Sequence, residues 1–469
     1  MLQVRKVDGR LLEDISEELF LALRRNIPPK IPLLMRLTAK YTKIIGLCAM
    51  CLCLLSAQAC DRRQASDNQV EGETTDTLAP LRTGAQQWLA GDLAALQGQR
   101  VGIVANHTSL VDGLHLVDTL LARGITVQKV FAPEHGFRGT ADAGEAVASG
   151  TDPRTGLPII SLYGNNKKPT PAQMADLDVV VFDIQDVGSR HYTYISTMTY
   201  VMEAAAARGI PFFVLDRPNP NGWYVDGPVL EPAHHSFIGM HSVPIVHGMT
   251  IGEYATMVNE EGWLEDGAKV DLRVIPCTGY THAMRWAETG LDWVPPSPNL
   301  GTAYAAYLYP ALCWFEPTPV SVGRGTDSAF TLVGAPWYQP AGPEARTPGQ
   351  RDFFGLQALP FAFTPRSLPG KSKFPKYQDE SCQGLDFQNE VPGPALLRAG
   401  VALLAEFYGQ HQAEGLKEPF FRKGFARWPG NETLQAQIEA GESTEAIYAS
   451  WQPGVEAFKA VRARYLMYP

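Results

Sequence analysis

The sequence is short of the residues that most enzyme chemistries need. Only seven cysteines occur in 469 residues, and Cys48, Cys51, Cys53 and Cys60 crowd into one stretch near the N-terminus. The other three, Cys277, Cys313 and Cys382, are too far apart for a disulfide framework or a zinc site. They read as buried free thiols, with one bridge at most. Ten histidines are scattered without a metal-spaced pair. No G-x-G-x-x-G follows the first strand-like run, so a dinucleotide site lacks its pyrophosphate cradle. Gly370-Lys371-Ser372 resembles the tail of a P-loop, but Pro365 stands where the first glycine is required. The absence of G-x-S-x-G, S-x-x-K and H-E-x-x-H argues against an α/β-hydrolase, a penicillin-binding-type serine enzyme and a zincin. No cofactor and no metal are expected. Basic charge is scarce as well: 40 Lys and Arg stand against 49 Asp and Glu, a net charge of -9. Residues 1–59 hold nine of the basic and five of the acidic residues, so the rest carries 31 against 44, a net -13. A body that acidic, with no basic stripe, excludes nucleic acid as an expected partner.

Long apolar runs are absent but for one. Residues 44–59, IIGLCAMCLCLLSAQA, carry no charge and follow Arg36, Lys40 and Lys43. Sixteen residues are short for a membrane span, which needs about 20. A basic flank, a short apolar core and small residues at its end make a secretory signal. Ala57-Gln58-Ala59 fits a cleavage site, and Cys60-Asp61 follows. The arrangement resembles a bacterial lipoprotein signal, in which the cysteine is lipidated after cleavage. Ala57 departs from the usual Leu, and ordinary cleavage after Ala59 is the alternative. Met35 would give the signal a normal length, so residues 1–34 read as an over-extended start. The expected product is an exported protein, periplasmic or an outer-membrane lipoprotein of a Gram-negative bacterium. Residues 60–80 are mostly polar and read as a tether.

What remains is an α/β protein. Short apolar runs at 101–105, 126–131, 157–162, 178–183 and 210–215 predict buried strands. Helical spacing at 114–123 and 192–207 alternates with them, and Gly124 and Gly209 close the two helices. This is the pattern of βαβ units and a parallel sheet, a Rossmann-like architecture over residues 81–235. Residues 236–469 read as a second, C-terminal α/β domain. There Thr250 and Glu253 are spaced as a helix capping box. Residues 271–275 predict another strand, and 394–410 and 431–468 are helical.

Four strands end in polar clusters. These are Asn106-His107-Thr108; Pro133-Glu134-His135-Gly136-Phe137-Arg138-Gly139; Asp183 through His191; and Asp216-Arg217-Pro218-Asn219. Ligands of open parallel sheets bind beyond the carboxyl ends of the strands, so four clusters on one edge predict a site. In the second half, Trp314 to Asp327 reads WFEPTPVSVGRGTD. Glycines around Arg324 allow a tight turn, and an arginine at a helix start binds anions. The alternative is a structural turn with Arg324 paired to Glu316.

The runs PEHGFRG, FDIQDVGSRHYTYIST, VLDRPNP, PPSPNL and FEPTPVSVGRGTD, in this order, resemble the NamZ-type exo-β-N-acetylmuramidases. The resemblance covers about residues 82–469. It implies a Rossmann-like domain packed on a smaller C-terminal α/β domain, with the active site in the cleft between. It also implies removal of terminal N-acetylmuramic acid from peptidoglycan fragments in cell-wall recycling. The expected partners are a muropeptide or disaccharide, and a membrane through a lipid on Cys60. The alternative is a non-catalytic peptidoglycan-binding lipoprotein.

Glycoside hydrolysis normally needs two carboxyl groups, about 5–5.5 Å apart for retention or about 6.5–9.5 Å for inversion. Glu134, at a strand end between Pro133 and His135, is the expected general acid. The second carboxylate is Asp186, Asp183 or Glu316, unless the sugar's acetamido group serves instead. His135 and His191 either orient a carboxylate or serve as ordinary hydrogen-bonded residues. Muramic acid carries a lactyl carboxylate, for which Arg138, Arg190, Arg217 and Arg324 are the candidate cations, Arg324 first. Tyr192 and Tyr194 could stack on sugar faces, and Asn106 joins the binding candidates.

Overall fold

The computed structural model describes residues 80–91, 93–138, 149–340, 349–387 and 392–469. The expected signal and Cys60 lie outside these residues. The strands of the first half are β1 (Val101–Ala105), a hairpin of β2 (Leu110–Val111) and β3 (Leu114–His115), β4 (Val127–Ala132), β5 (Gly150–Thr151), β6 (Pro158–Ser161), β7 (Val179–Asp183), β8 (Phe212–Leu215) and β9 (Leu272–Ile275). Seven of them make one sheet in the order β5-β6-β4-β1-β7-β8-β9. Its pairs are parallel except for the short edge strand β5. Leaving β5 aside, the strands run third, second, first, fourth, fifth, sixth, the doubly wound order of a Rossmann sheet. The sheet extends past residue 235 and takes β9 from the segment beyond it.

Both faces of this sheet are covered, which is why its strands are apolar throughout. Val104, Val180, Phe182, Phe212 and Val214 pack under the helices Tyr194–Arg208 and Ile251–Glu260. The alternate residues Ile103, Val179, Val181, Phe213 and Leu215 pack under Gly84–Ala90 and Leu116–Ala122 on the other side. The period of two along a strand divides the side chains between the two layers. Burying each of Phe131, Phe182 and Phe212, all fully inaccessible, contributes about 1.5–3 kcal/mol. Thr250 and Glu253 form the expected capping box. The helix expected from Leu114 begins instead at Leu116, because Asp112-Gly113, both at positive φ, turn a hairpin there. Asp-Gly is the preferred pair for such a turn.

The second half adds β10 (Leu332–Ala335), β11 (Arg351–Phe353), β12 (Leu356–Phe363) and β13 (Cys382–Phe387), an antiparallel sheet in the order β10-β13-β12-β11. The helix Leu396–Ala413 lies against it, with Phe407 stacked on Tyr338 at 3.9 Å. One hydrophobic core runs from Val104 and Phe182 through Trp314 and Phe315 to Phe407 and Phe458, so the two halves share their interior. Cys277, Cys313 and Cys382 are buried free thiols. Among the described residues, no helix is long and apolar enough to cross a membrane.

Candidate active site

Glu134 stands immediately beyond β4, on the carboxyl edge of the parallel sheet. The turn that presents it is tight: Gly136 N donates to Pro133 O at 3.1 Å, and His135 and Gly136 both have positive φ, +71° and +78°. A non-glycine residue there is strained by about 1–2 kcal/mol, and such strain gathers at functional sites. Glu134 is half-buried and accepts a hydrogen bond from Thr193 Oγ1 at 3.2 Å. Thr193 is the N-cap of Tyr194–Arg208, yet its side chain caps nothing in that helix. Its hydroxyl serves the carboxylate instead.

Tyrosines surround this carboxylate. Tyr163, the second residue beyond β6, hydrogen-bonds to it, and burial and the charge of Glu134 raise the Tyr163 hydroxyl well above its ordinary value. Burial, then Glu134, do the same to Tyr194. Tyr192 packs edge-on against Tyr194 at 4.9 Å and against Tyr309 at 5.7 Å. The Tyr192 hydroxyl is buried beside that of Tyr194. Tyr309 comes from the helix Ala303–Leu312 and carries the aromatic wall across to the second half of the chain.

That second half supplies Glu316 and Arg324. Arg324 Nε donates to Glu316 Oε1 at 3.0 Å, and the two side chains are 26% and 23% exposed. Burial pushes the Glu316 carboxyl up, but Arg324 and then Lys376 outweigh it and hold it below the ordinary glutamate value. Gly323 and Gly325 flank Arg324 at φ +75° and +83°, the left-handed region that favours glycine. Arg324 and Tyr309 each sense the charges of both Glu316 and Glu134. The two glutamates therefore lie within electrostatic reach of one cation and one phenol.

The remaining expected residues are engaged within the fold. Arg217 grips Asp183 through two hydrogen bonds, 2.6 and 2.9 Å, with the pair 7% and 0% exposed. Arg138 is shared between Asp152 at 2.7 Å and Asp118 at 3.2 Å, and its guanidinium lies 4.4 Å from the Phe137 ring. Arg190 is wholly buried, and its terminal nitrogens donate to the carbonyls of Pro228, Val243, Trp428 and Pro429 at 2.8–2.9 Å. Burial pulls its pKa down to about 10. These contacts tie Arg138, Arg190, Arg217 and Asp183 to neighbouring parts of the fold. His191 does not orient a carboxylate: Nε2 is bonded to Trp428 O, and Nδ1 lies 3.0 Å from Cys313 Sγ. Asp186 is buried, accepts from Gly188 N at 2.7 Å, and has no partner for its Oδ1 among the described residues. Burial pushes its carboxyl up to about 7. Asn106 Nδ2 donates to the Tyr194 hydroxyl at 2.9 Å, and that hydroxyl donates to Pro296 O at 2.7 Å. Asn106 thus braces the aromatic wall from behind and ties the PPSPNL segment to the end of β1.

Sequence models described as the exo-β-N-acetylmuramidase NamZ N-terminal and C-terminal domains match residues 101–304 and 307–468. The peptidoglycan β-N-acetylmuramidase NamZ of Bacillus subtilis (strain 168) is 37% identical over 393 residues, covering 83% of this chain and 91% of that protein. Two crystal structures of DUF1343 family proteins from Bacteroides fragilis NCTC 9343 superpose with TM-scores of 0.70 and 0.73, at 38% and 29% identity. Each covers 83% of this chain and 99% of its own.

Proposed function

The chain belongs to the NamZ family of exo-β-N-acetylmuramidases and is a glycosidase, and from this premise we propose that it releases terminal N-acetylmuramic acid from the non-reducing end of peptidoglycan fragments in cell-wall recycling. The observation that carries the reading is the half-buried Glu134, held by Thr193 and facing the tyrosines and the Glu316–Arg324 pair. Glu134 gives its proton to the glycosidic oxygen as the bond to the anomeric carbon breaks. Glu316 is the second carboxylate and takes the proton of the water that adds to that carbon. Arg324 engages Glu316 through Nε, which leaves Nη1 and Nη2 for the lactyl carboxylate that distinguishes muramic acid. The test is a disaccharide of N-acetylmuramic acid linked to N-acetylglucosamine. The native protein frees the muramic acid sugar and Glu134→Gln does not. A native protein that binds the disaccharide and cleaves nothing overturns the reading.

Export belongs to the same proposal. With lipid on Cys60 the enzyme would work from a membrane surface facing its substrate. Cys60→Ala should move the protein from the membrane fraction to the soluble one, and unchanged association would refute the anchor.

A further inference from the structure

The loop that carries Glu316 is held from outside. Pro317 and Pro319 remove two N–H donors from residues 315–320, so this segment cannot build a continuous ladder of its own. Thr318 N and Oγ1 turn back to Phe315 O, at 3.1 and 2.8 Å, and Arg422 N reaches Pro317 O at 3.0 Å, but most of the carbonyls meet a distant strap. Lys376 Nζ donates to the carbonyls of Phe315 at 2.9 Å, Glu316 at 2.8 Å and Val320 at 2.8 Å. The next residue, Tyr377, gives its hydroxyl to Pro319 O at 2.7 Å. Three carbonyls use all three protons of an ammonium group. The same strap touches the Arg324 turn, where Arg366 N donates to Gly325 O at 2.8 Å. A Cβ added at Gly325 would stand only 2.6 Å from Arg366 O and from Pro375 Cγ.

We propose that Lys376 is a positioning residue of the active site: its ammonium group fixes residues 315–320 and so aims Glu316, and full activity requires that nitrogen to keep its proton. The proposal rests on Glu316 belonging to the catalytic machinery. Burial lowers the amine to about 8, a fall that Arg422 and Arg324 deepen and that Glu316 and Glu418 oppose. Once neutral, the amine has two N–H groups for three carbonyls and no charge to strengthen them. The loop then loosens, and Glu316 drifts from its place.

The experiment pairs lysine Cε NMR titration with kcat and KM from pH 6 to 9.5 on the muramic acid disaccharide. In the native enzyme one lysine titrates near pH 8 and kcat falls with the same midpoint, while KM holds nearly constant. The resonance vanishes in Lys376→Arg, whose guanidinium stays charged, and the basic limb of kcat moves to higher pH. Lys376→Met lowers kcat by ~10²-fold below pH 7, the cost of misplacing a group by about 1 Å, and the gap to the native enzyme narrows above pH 8 as the native amine loses its proton. A basic limb unchanged in Lys376→Arg belongs to another acid and overturns the proposal, as does a Lys376 that titrates at its ordinary value. Should the arginine variant not fold, the two native midpoints decide by coinciding or not. Absence of muramic acid release at every pH would instead overturn the assigned activity, and release without this limb overturns only the role of Lys376.

Discussion

The carboxyl edge of the parallel sheet has two halves that the same rule would treat alike. Over β4 and β6, Glu134 faces Thr193, Tyr163 and the Glu316–Arg324 pair, half-exposed. Over β7 and β8, Asp183 and Arg217 are locked in a buried bidentate pair, and Asp186 lies buried beside them in sequence. Both halves are rich in charge at strand ends. The difference is where the charge is spent. Asp183, with no exposure and both oxygens held by one guanidinium, is a strut, and opening the pair costs the fold. A carboxylate held by the neutral hydroxyls of Thr193 and Tyr163 is oriented without being neutralised by either of them. Charge at a strand end is therefore not by itself the mark of a site.

The largest expected contrast follows from Glu134. Glu134→Gln should lower turnover by about 10²–10⁴-fold, the worth of a positioned proton transfer. Its denaturation midpoint should stay near that of the native protein, since an amide of the same shape can still accept from Thr193 and Tyr163. Glycosides with activated leaving groups should lose less, because they need less protonation. Equal losses on good and poor leaving groups would make Glu134 a nucleophile or a structural group.

Across the edge the pattern should invert. Arg217→Ala leaves Asp183 buried without its partner, which costs about 3–5 kcal/mol of stability. Urea denaturation measures this, and the protein that remains folded should keep kcat within a few-fold of native. A stable Arg217→Ala with collapsed turnover would place the second half of the edge in the catalytic machinery.

How much of this was readable beforehand depended on range. Strands β1, β4, β7 and β8 could be read because covered parallel strands are unbroken apolar runs, and Glu134 because it follows one of them. The first polar residues after β6 obeyed the same rule, which could have found Tyr163. What sequence could not give was partnership. Arg217 meets Asp183 across 34 positions and Arg190 meets Trp428 O across 238. No local pattern tells such an arginine from one facing substrate. The sheet β10–β13 also escaped detection. Gly334 and Gly384 oppose each other in it, and Pro360 interrupts β12, so its strands lack the usual signals.

Arg324 offers the next contrast, between two sugars. Charge-assisted hydrogen bonds of this kind are worth about 1.5–3 kcal/mol, or roughly 10–150-fold in kcat/KM. Arg324→Ala should cut activity on muramic acid glycosides by that order and spare any weak activity on N-acetylglucosamine glycosides, which lack the lactyl carboxylate. An equal fall on both would mean that Arg324 acts mainly by holding Glu316.

The smallest effect is the one that tests Asp186, the carboxylate just beyond β7. Its carboxyl is raised by burial to about 7, far above the value of an unfolded aspartate, about 3.9. A carboxyl raised on folding adds stability that is complete below its unfolded pKa and disappears as pH rises through its folded one. Between pH 6 and pH 8 the native protein should therefore lose about 1 kcal/mol of unfolding free energy through this group. Asp186→Asn has the same shape and an acceptor for Gly188 N, but nothing to ionise, so its stability should be flatter over that window. Asp216, pushed up by burial to about 6, has the same sign but a lower midpoint, so its share falls mainly below the window. Turnover separates the readings of Asp186 itself. If it is a buried strut, Asp186→Asn keeps kcat near native while the pH slope disappears. If it is the second carboxylate in place of Glu316, kcat falls with the same severity as in Glu134→Gln, and the boundary between the two halves of the edge has to move by one strand.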